Sequence, residues 1–321
     1  MDKWLMGIDV GGTTIKLAFI DTNGDILHKW EVPTDISEQG KHITRDINKA
    51  LDAKLAELGE NKGKIAGIGL GAPGPVDAEN GVIYEAVNLG WRNYPLREKL
   101  ANDTGLPVWI DNDANVAAVG EMWKGAGLGA KDMVCVTLGT GVGGGIITNG
   151  MMVQGVSGAA GEIGHITAVP ENGYACNCGK TGCLETVASA TGIVRTAMEQ
   201  IKDHPDSQLA KMLDENGAIS AKDVLDCAAQ KDPYALKVLD RVAYYLGYTL
   251  ANVANALNPE KIVIGGGVSK AGDLLLNAVD AYFKKYAFLR VRESTSLSIA
   301  TLGNDAGVIG AAWMVKTQTS Q

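Results

Sequence analysis

Residues 133–153 read MVCVTLGTGVGGGIITNGMMV. An apolar run, Met133 to Leu138, meets the turn Gly139-Thr140-Gly141-Val142-Gly143-Gly144-Gly145. The strand-like Ile146 to Thr148, the pair Asn149-Gly150 and Met151 to Val153 follow. Asn-Gly between two apolar runs is the strongest short hairpin signal. The same plan opens the chain. Trp4 to Val10 is apolar and contains Asp9, Gly11-Gly12-Thr13-Thr14 is the turn, and Ile15 to Asp21, Asn23-Gly24 and Ile26 to Val32 complete the copy. The glycine turns are 128 residues apart (Gly11 to Gly139) and the Asn-Gly pairs 126 (Asn23 to Asn149). A repeat at that distance predicts two related half-molecules rather than a solenoid.

Each turn can present backbone N–H groups and threonine hydroxyls to a polyphosphate. Neither is a P-loop, because GxxxxGK[ST] is missing, and neither is a dinucleotide fingerprint, because a strand pattern follows instead of a helix. Outside the copies, helical periodicity marks Gly40 to Leu58, Pro95 to Thr104, Ala114 to Trp123, Ala188 to Asp203, Ala221 to Gln230, Pro233 to Leu257, Ala271 to Ala287 and Ala306 to Val315. Strand patterns mark Lys64 to Leu70, Leu106 to Ile110, Lys261 to Ile264 and Leu297 to Leu302, with Gly71 to Val76 as a loop. Strands alternating with helices predict an α/β protein. Thr317 to Gln321 reads as a frayed tail.

With 321 residues the chain has length for about two domains of about 150 residues. Its net charge of −8 gives no basic footprint for nucleic acid. No apolar run approaches the roughly 18 residues of a membrane span, and no signal peptide pattern opens the chain, so the cytoplasm is expected. There, clustered cysteines are more often metal ligands than disulfides. The 41 glycines far exceed the usual share of about 7%, and they gather after apolar runs, where a backbone must turn or approach a ligand.

Three of the five cysteines, Cys176, Cys178 and Cys183, lie with His165 in Gly161 to Glu185. Three soft sulfurs and an imidazole suit tetrahedral Zn²⁺, and four protein ligands would close the site and make it structural. A reduced core cluster or an iron–sulfur centre are the alternatives. Cys135 and Cys227 stand among apolar neighbours and read as core. Glu162 and Glu185 flank the cluster; a loop pinned by metal would hold both for a polyhydroxylated ligand, and the free ring nitrogen of His165 could join them. Asp111-Asn112-Asp113 sits where a strand ends and a helix begins. Capping explains such residues by itself, but open α/β proteins also place ligand groups there. Asp113 is the candidate base for a hydroxyl, and Asp9 could organise Mg²⁺ on phosphates.

Together these residues resemble the ROK family of bacterial sugar kinases and repressors, most closely its ATP-dependent glucokinases. The marks are Asp9-Val-Gly-Gly-Thr-Thr14, Gly71-Ala-Pro-Gly74, Asp111-Asn-Asp-Ala-Asn115, Leu138-Gly-Thr-Gly-Val-Gly143, Gly161-Glu-Ile-Gly-His165 and Cys176-x-Cys178-Gly-x-x-Gly-Cys183-x-Glu185. The resemblance implies two ribonuclease-H-like domains of the hexokinase/actin type around a cleft. The small one would span residues 1–112 and 303–321, the large one 113–302 with the zinc loop. It implies ATP and Mg²⁺ on Asp9, Gly11, Gly12, Thr13, Thr14, Lys16, Thr137, Gly139, Thr140 and Gly141, with adenosine near Gly265, Gly266 and Gly267. Asn112, Glu162, His165 and Glu185 would hold glucose, and Asp113 would activate its 6-hydroxyl. His165, Cys176, Cys178 and Cys183 would hold structural Zn²⁺, and the chain would form a homodimer. Another hexose (N-acylmannosamine, fructose or allose) and polyphosphate as donor stay open. Repressor members carry an N-terminal helix-turn-helix, for which a glycine turn starting at Gly11 leaves no room, so a regulator is the weaker expectation.

Overall fold

A computed structural model of the chain describes residues 3–319. In order, β1 (Trp4–Val10), β2 (Thr14–Ile20), β3 (Ile26–Pro33), the single turn α1 (Ser37–Gly40) and α2 (Ile43–Glu57) lead to β4 (Ile65–Ala72). Then come β5 (Val76–Asp77), β6 (Val82–Ala86), β7 (Trp91–Tyr94), α3 (Leu96–Thr104), β8 (Val108–Asn112) and α4 (Asp113–Lys124). The second run is β9 (Met133–Leu138), β10 (Val142–Thr148), β11 (Met151–Met152), α5 (Glu185–Ala188), α6 (Ala190–Gln200), α7 (Gln208–Asn216), α8 (Ala221–Ala229) and α9 (Pro233–Leu257). It closes with β12 (Lys261–Gly265), α10 (Asp273–Tyr286), α11 (Leu289–Ser294), β13 (Ser296–Ile299) and α12 (Ala306–Thr319).

The duplication inferred from the glycine hairpins is real. The two five-stranded sheets have orders β3-β2-β1-β4-β8 and β11-β10-β9-β12-β13, one topology used twice. The first three strands of each copy form the hairpins. The β1–β4, β4–β8, β9–β12 and β12–β13 pairs are parallel, an arrangement that needs the long, helix-containing connections between them. The hairpin turns differ. Asn149 and Gly150 both have positive φ (53° and 75°) and make a two-residue turn, as a right-twisted hairpin prefers. Asn23-Gly24 sits in a longer loop, in which Asp21 Oδ1 accepts the Asn23 and Asp25 N–H groups.

The chain divides into two compact units. The first takes the chain up to Gly129, residues Gly145–Gly161 and the chain from Leu302; the second takes Ala130–Gly144 and Glu162–Thr301. Helix α4 and residues 145–161, assigned to the large domain in the sequence reading, thus group with the first unit. For α4 the reason is glycine packing: a side chain at Gly310 of α12 would overlap the Val116 carbonyl of α4, and one at Gly120 of α4 the Ala306 carbonyl.

In the first unit one sheet face buries Met6, Ile8, Ile68 and Leu70 against Ile43, Ile47 and Leu51 of α2 and Leu100 of α3. The other meets Val308, Ile309, Ala312 and Val315 of α12. In the second unit Val134, Val136, Ile262 and Ile264 pack against Leu246, Leu250 and Ala254 of α9. Asp232 caps α9, accepting the Tyr234 and Ala235 N–H groups, with Pro233 at the first position, where a missing N–H costs nothing. Cys135 and Cys227 are buried, as expected.

Four expectations change. Gly143 to Gly145 belong to strand β10 and not to the turn; at Gly145 a Cβ would come within 2.7 Å of the Ala118 Cβ, so helix α4 passes too close for a side chain. The three-stranded sheet β5-β6-β7 was absent from the sequence reading. So was α7, which buries only Leu209 and Ala210. Thr317 to Thr319 are helical, as the end of α12, while the rest of the expected tail, residues 320–321, lies outside the described residues. Among the described residues no helix is long and apolar enough to cross a membrane.

Candidate active site

In the first unit the glycine turn closes with the Gly11 N–H donating to Thr14 O at 3.0 Å, and Thr34 Oγ1 donates to Gly11 O at 2.7 Å. Asp9 and Lys16 stand opposite each other in the β1–β2 ladder, and Lys16 Nζ reaches Asp9 Oδ2 at 3.2 Å. The first turn of α12 lies against the same carboxylate: a Cβ on Gly307 would be 2.9 Å from Asp9 Cγ. The positive end of a helix favours an anion there. Asp9 offers a partly exposed oxygen of the hard kind that Mg²⁺ takes along with water and phosphate.

At the end of β8 the chain turns straight into α4. Asn112 is the N-cap, its Oδ1 accepting from Ala114 N at 2.9 Å and Asn115 N at 3.4 Å, while its Nδ2 donates to Gly74 O at 2.9 Å. Such a cap is worth about 1 kcal/mol, so capping is one role of Asn112. It does not account for Asp113, the first residue of α4. Loss of hydration in its recess pushes the Asp113 carboxyl up to about 6; the Ala114 N–H opposes the rise and the nearby Asp9 carboxylate adds to it. One side of the group stays open to solvent. A carboxylate poised near neutrality and reachable from outside is suited to take a proton from a hydroxyl.

In the second unit the ligand atoms of His165, Cys176, Cys178 and Cys183 all lie within 4.8 Å of one another. Cys178 Sγ and Cys183 Sγ are 3.6 Å apart, and Cys176 Sγ is 3.6 Å from His165 Nδ1. Tetrahedral zinc with Zn–S of about 2.3 Å and Zn–N of about 2.0 Å implies about 3.8 Å between sulfurs and about 3.5 Å from sulfur to nitrogen. The donor set fits that ion. Burial, reinforced by the neighbouring sulfurs, pushes the Cys183 thiol up to about 12, and a bound dication reverses that logic. The loop has little other regular structure beyond a short turn at Ile163–His165 and the bridges Thr167–Cys183 and Ala175–Thr181.

His165 ends a short 3₁₀ turn, Ile163–His165. With Nδ1 toward the sulfurs, its Nε2 faces Glu162 Oε2 at 3.8 Å. Glu185 begins α5, with Oε2 accepting the Val142 N–H at 3.0 Å and Oε1 3.8 Å from Cys176 Sγ. Glu162 and Glu185 thus each stand beside a residue of the cluster, His165 and Cys176 respectively.

The second glycine turn is held by the Gly139 N–H donating to Gly141 O at 2.9 Å and by Thr191 Oγ1 donating to Thr140 O at 2.9 Å. Thr137 stands opposite Gly265 in the β9–β12 ladder. Gly266 has φ +84°, and a Cβ there would meet Leu138 O at 2.4 Å. Beside these residues opens a cavity of about 620 Å³, lined by Gly139, Thr140, Gly267 and Val268 and by Leu225 and Leu274. Ala221, Leu225 and Ala229 of α8 form one of its walls. Their i, i+4 spacing was readable as a helix face, but nothing in the sequence said that the face borders a cavity. Lys222 and Asp226, an ion pair on α8, also line it.

Two sheets of one order, each opening on a glycine turn, define the mixed α/β fold of the actin-like ATPases. The chain belongs to the ROK family, whose model matches residues 5–318. It is 59% identical over 317 residues to a glucokinase of Halalkalibacterium halodurans, covering 99% of this chain and 96% of that one. A glucokinase of Thermotoga maritima is 37% identical, over 97% of each chain. Among solved structures, a ROK family glucokinase from Streptomyces griseus in complex with glucose and AMPPNP matches with a TM-score of 0.79 at 36% identity, over 98% of this chain and 99% of that one.

Proposed function

We propose that this protein is a glucokinase: it transfers the γ-phosphoryl group of ATP to the 6-hydroxyl of glucose. The observation that carries the mechanism is Asp113, a solvent-reachable carboxyl at the start of α4, lifted toward neutrality next to Asp9 in the same unit. Asp113 takes the hydroxyl proton as the oxygen attacks. Asn112, Glu162, His165 and Glu185 hold the sugar hydroxyls. Asp9, Gly11, Gly12, Thr13, Thr14, Lys16, Thr137, Gly139, Thr140 and Gly141 serve the phosphates. Gly265, Gly266 and Gly267 border the adenosine site, and the 620 Å³ cavity, with its Leu225, Ala229 and Leu274 walls, accepts the base.

Bound Mg²⁺, held through Asp9, would neutralise charge on the transferring phosphoryl group. Zinc on His165, Cys176, Cys178 and Cys183 does no chemistry in this reading; with four protein ligands its part is to fix the loop that carries Glu162 and Glu185. The thiol-rich site and the use of ATP fit the cytoplasm, the net charge of −8 argues against nucleic acid as a partner, and the family resemblance supports a homodimer. A coupled assay over a panel of hexoses and phosphoryl donors tests the proposal. Glucose with ATP is expected to give the highest kcat/KM, and a clear preference for another hexose or for polyphosphate would replace it.

A further inference from the structure

Asp111 belongs to the Asp-Asn-Asp run but has no part in the chemistry above. It is 7% exposed, and both its oxygens are engaged. Oδ1 accepts the Asn112 backbone N–H at 2.7 Å and Asn115 Nδ2 at 2.9 Å. Oδ2 accepts Gln154 Nε2 at 2.6 Å. The first two bonds grip the elbow that sets Asn112 and Asp113. The third reaches the stretch after β11. Gln154 is itself fixed at its backbone, where its carbonyl accepts the Ala160 N–H at 3.1 Å. The same stretch passes so close to β5 that a Cβ on Gly158 would meet Val76 O at 2.5 Å. The 154–160 loop is therefore closed on itself and tied to the elbow by one side chain. The chain leaves this unit just after it, between Gly161 and Glu162.

We infer that Asp111 is a positioning residue for this reaction. Through its bonds to Asn112, Asn115 and Gln154 it locks the elbow carrying the base to the loop that leads to Glu162. This rests on the glucokinase reading. Burial raises the Asp111 carboxyl, and the bonds from Asn115, Gln154 and Asn112 offset part of that rise, so those bonds also keep a buried carboxyl tolerable. The orientation of Gln154 is decided by the same contact. Its Oε1 is buried with no partner, because a flipped amide would turn that oxygen onto Asp111 Oδ2. Asparagine at position 111 could keep Oδ1 on the elbow and present its N–H₂ to Gln154, whose amide would flip and supply Oε1 as acceptor. The lock depends on that geometry and not on the charge.

The test compares Asp111→Ala, Asp111→Asn and Gln154→Leu with wild type, measuring kcat, KM for glucose and for ATP, and glucose binding by calorimetry without ATP. Asp111→Ala is expected to lower kcat at least tenfold and to weaken glucose binding several-fold, with KM for ATP within twofold of wild type. Gln154→Leu should weaken glucose binding in the same sense. Asp111→Asn should restore kcat to within about threefold. A residue needed only for folding would lower the melting temperature and the active fraction and leave glucose affinity unchanged. Should Asp111→Ala fail to fold, the Gln154→Leu and Asp111→Asn pair decides the matter. Glucose affinity and kcat unchanged in Gln154→Leu would overturn the inference, as would an Asp111→Asn variant no better than the alanine. Wild type that fails to phosphorylate glucose would defeat the underlying reading instead, and this inference with it.

Discussion

Glu185 Oε2 accepts the backbone N–H of Val142 at 3.0 Å. One bond thus joins a glutamate at the end of the cysteine loop to the residue that follows the second glycine turn. The turn is glycine at Gly141 for the same reason: a Cβ there would lie 2.4 Å from Glu185 Oε2. Gly141→Ala, a change in the turn proposed to bind phosphate, should therefore displace Glu185, a proposed sugar contact. We expect KM for glucose to rise about tenfold or more, since a misplacement of about 1 Å can cost that much and beyond. Steady-state kinetics with each substrate varied in turn will show it; an effect confined to KM for ATP would contradict the placement of Glu185.

Zinc analysis of the purified protein should give close to one ion per chain, and Cys178→Ala should lose it. Cys178 is exposed, so no apolar core is lost with its side chain. The variant is nevertheless expected to weaken glucose binding about tenfold or more, because the loop holding Glu162 and Glu185 loses its anchor. Unchanged glucose affinity in a zinc-free variant would separate the metal from the sugar site.

At the other end of the chain, Gly307→Ala places a methyl carbon 2.9 Å from Asp9 Cγ and 3.0 Å from its Oδ2. Asp9 is short and held at the end of β1, so it has little room to give way. We expect kcat to fall about tenfold, with more Mg²⁺ needed for half-maximal rate, and glucose binding in the absence of ATP to be retained. A Mg²⁺ titration of the variant against wild type is the check.

Filling the cavity beside the second glycine turn tests the adenosine assignment. Ala229→Phe puts an aromatic ring on the α8 wall of the 620 Å³ space. KM for ATP should rise about tenfold, as blocking a preformed pocket requires, while KM for glucose should stay within twofold. Equal effects on both substrates would point to a general disturbance of α8.

Much of this was readable before any coordinates. Asn-Gly pairs and apolar runs of strand length determine their own local structure, so the paired hairpins and the two-sheet plan were visible at once. The clustering of His165, Cys176, Cys178 and Cys183 was visible because soft side chains rarely gather without cause. The β5-β6-β7 sheet was not legible: Val82 to Ala86 alternates weakly, and Trp91, buried and stacked on Tyr94 at 4.5 Å, looks like any isolated tryptophan. The glycines of β10 misled for a physical reason, since glycine marks a turn and a close helix approach equally well. The α8 wall and the Asp111–Gln154 bond, which spans 43 positions, depend on tertiary neighbours distant in sequence, which local pattern does not carry.

Asp113 also makes a prediction about pH. With its carboxyl at about 6, kcat/KM for glucose should fall as pH drops through that value, because a protonated Asp113 cannot accept the hydroxyl proton. The same shift acts on stability with the opposite sense. The folded state binds this proton more tightly than the unfolded chain, so Asp113 costs stability as pH rises from 3.8 to about 6. Asp113→Asn removes that penalty, and its melting temperature at pH 7.5 should equal or exceed wild type.

The most direct measurement is therefore glucose 6-phosphate formation by Asp113→Asn at pH 8, with glucose binding followed by calorimetry on the same sample. A general base contributes about 10²- to 10⁴-fold, so kcat should fall by at least a hundredfold while glucose affinity stays within a few-fold of wild type. Turnover within a few-fold of wild type would show that Asp113 is not the base and would contradict the mechanism proposed here.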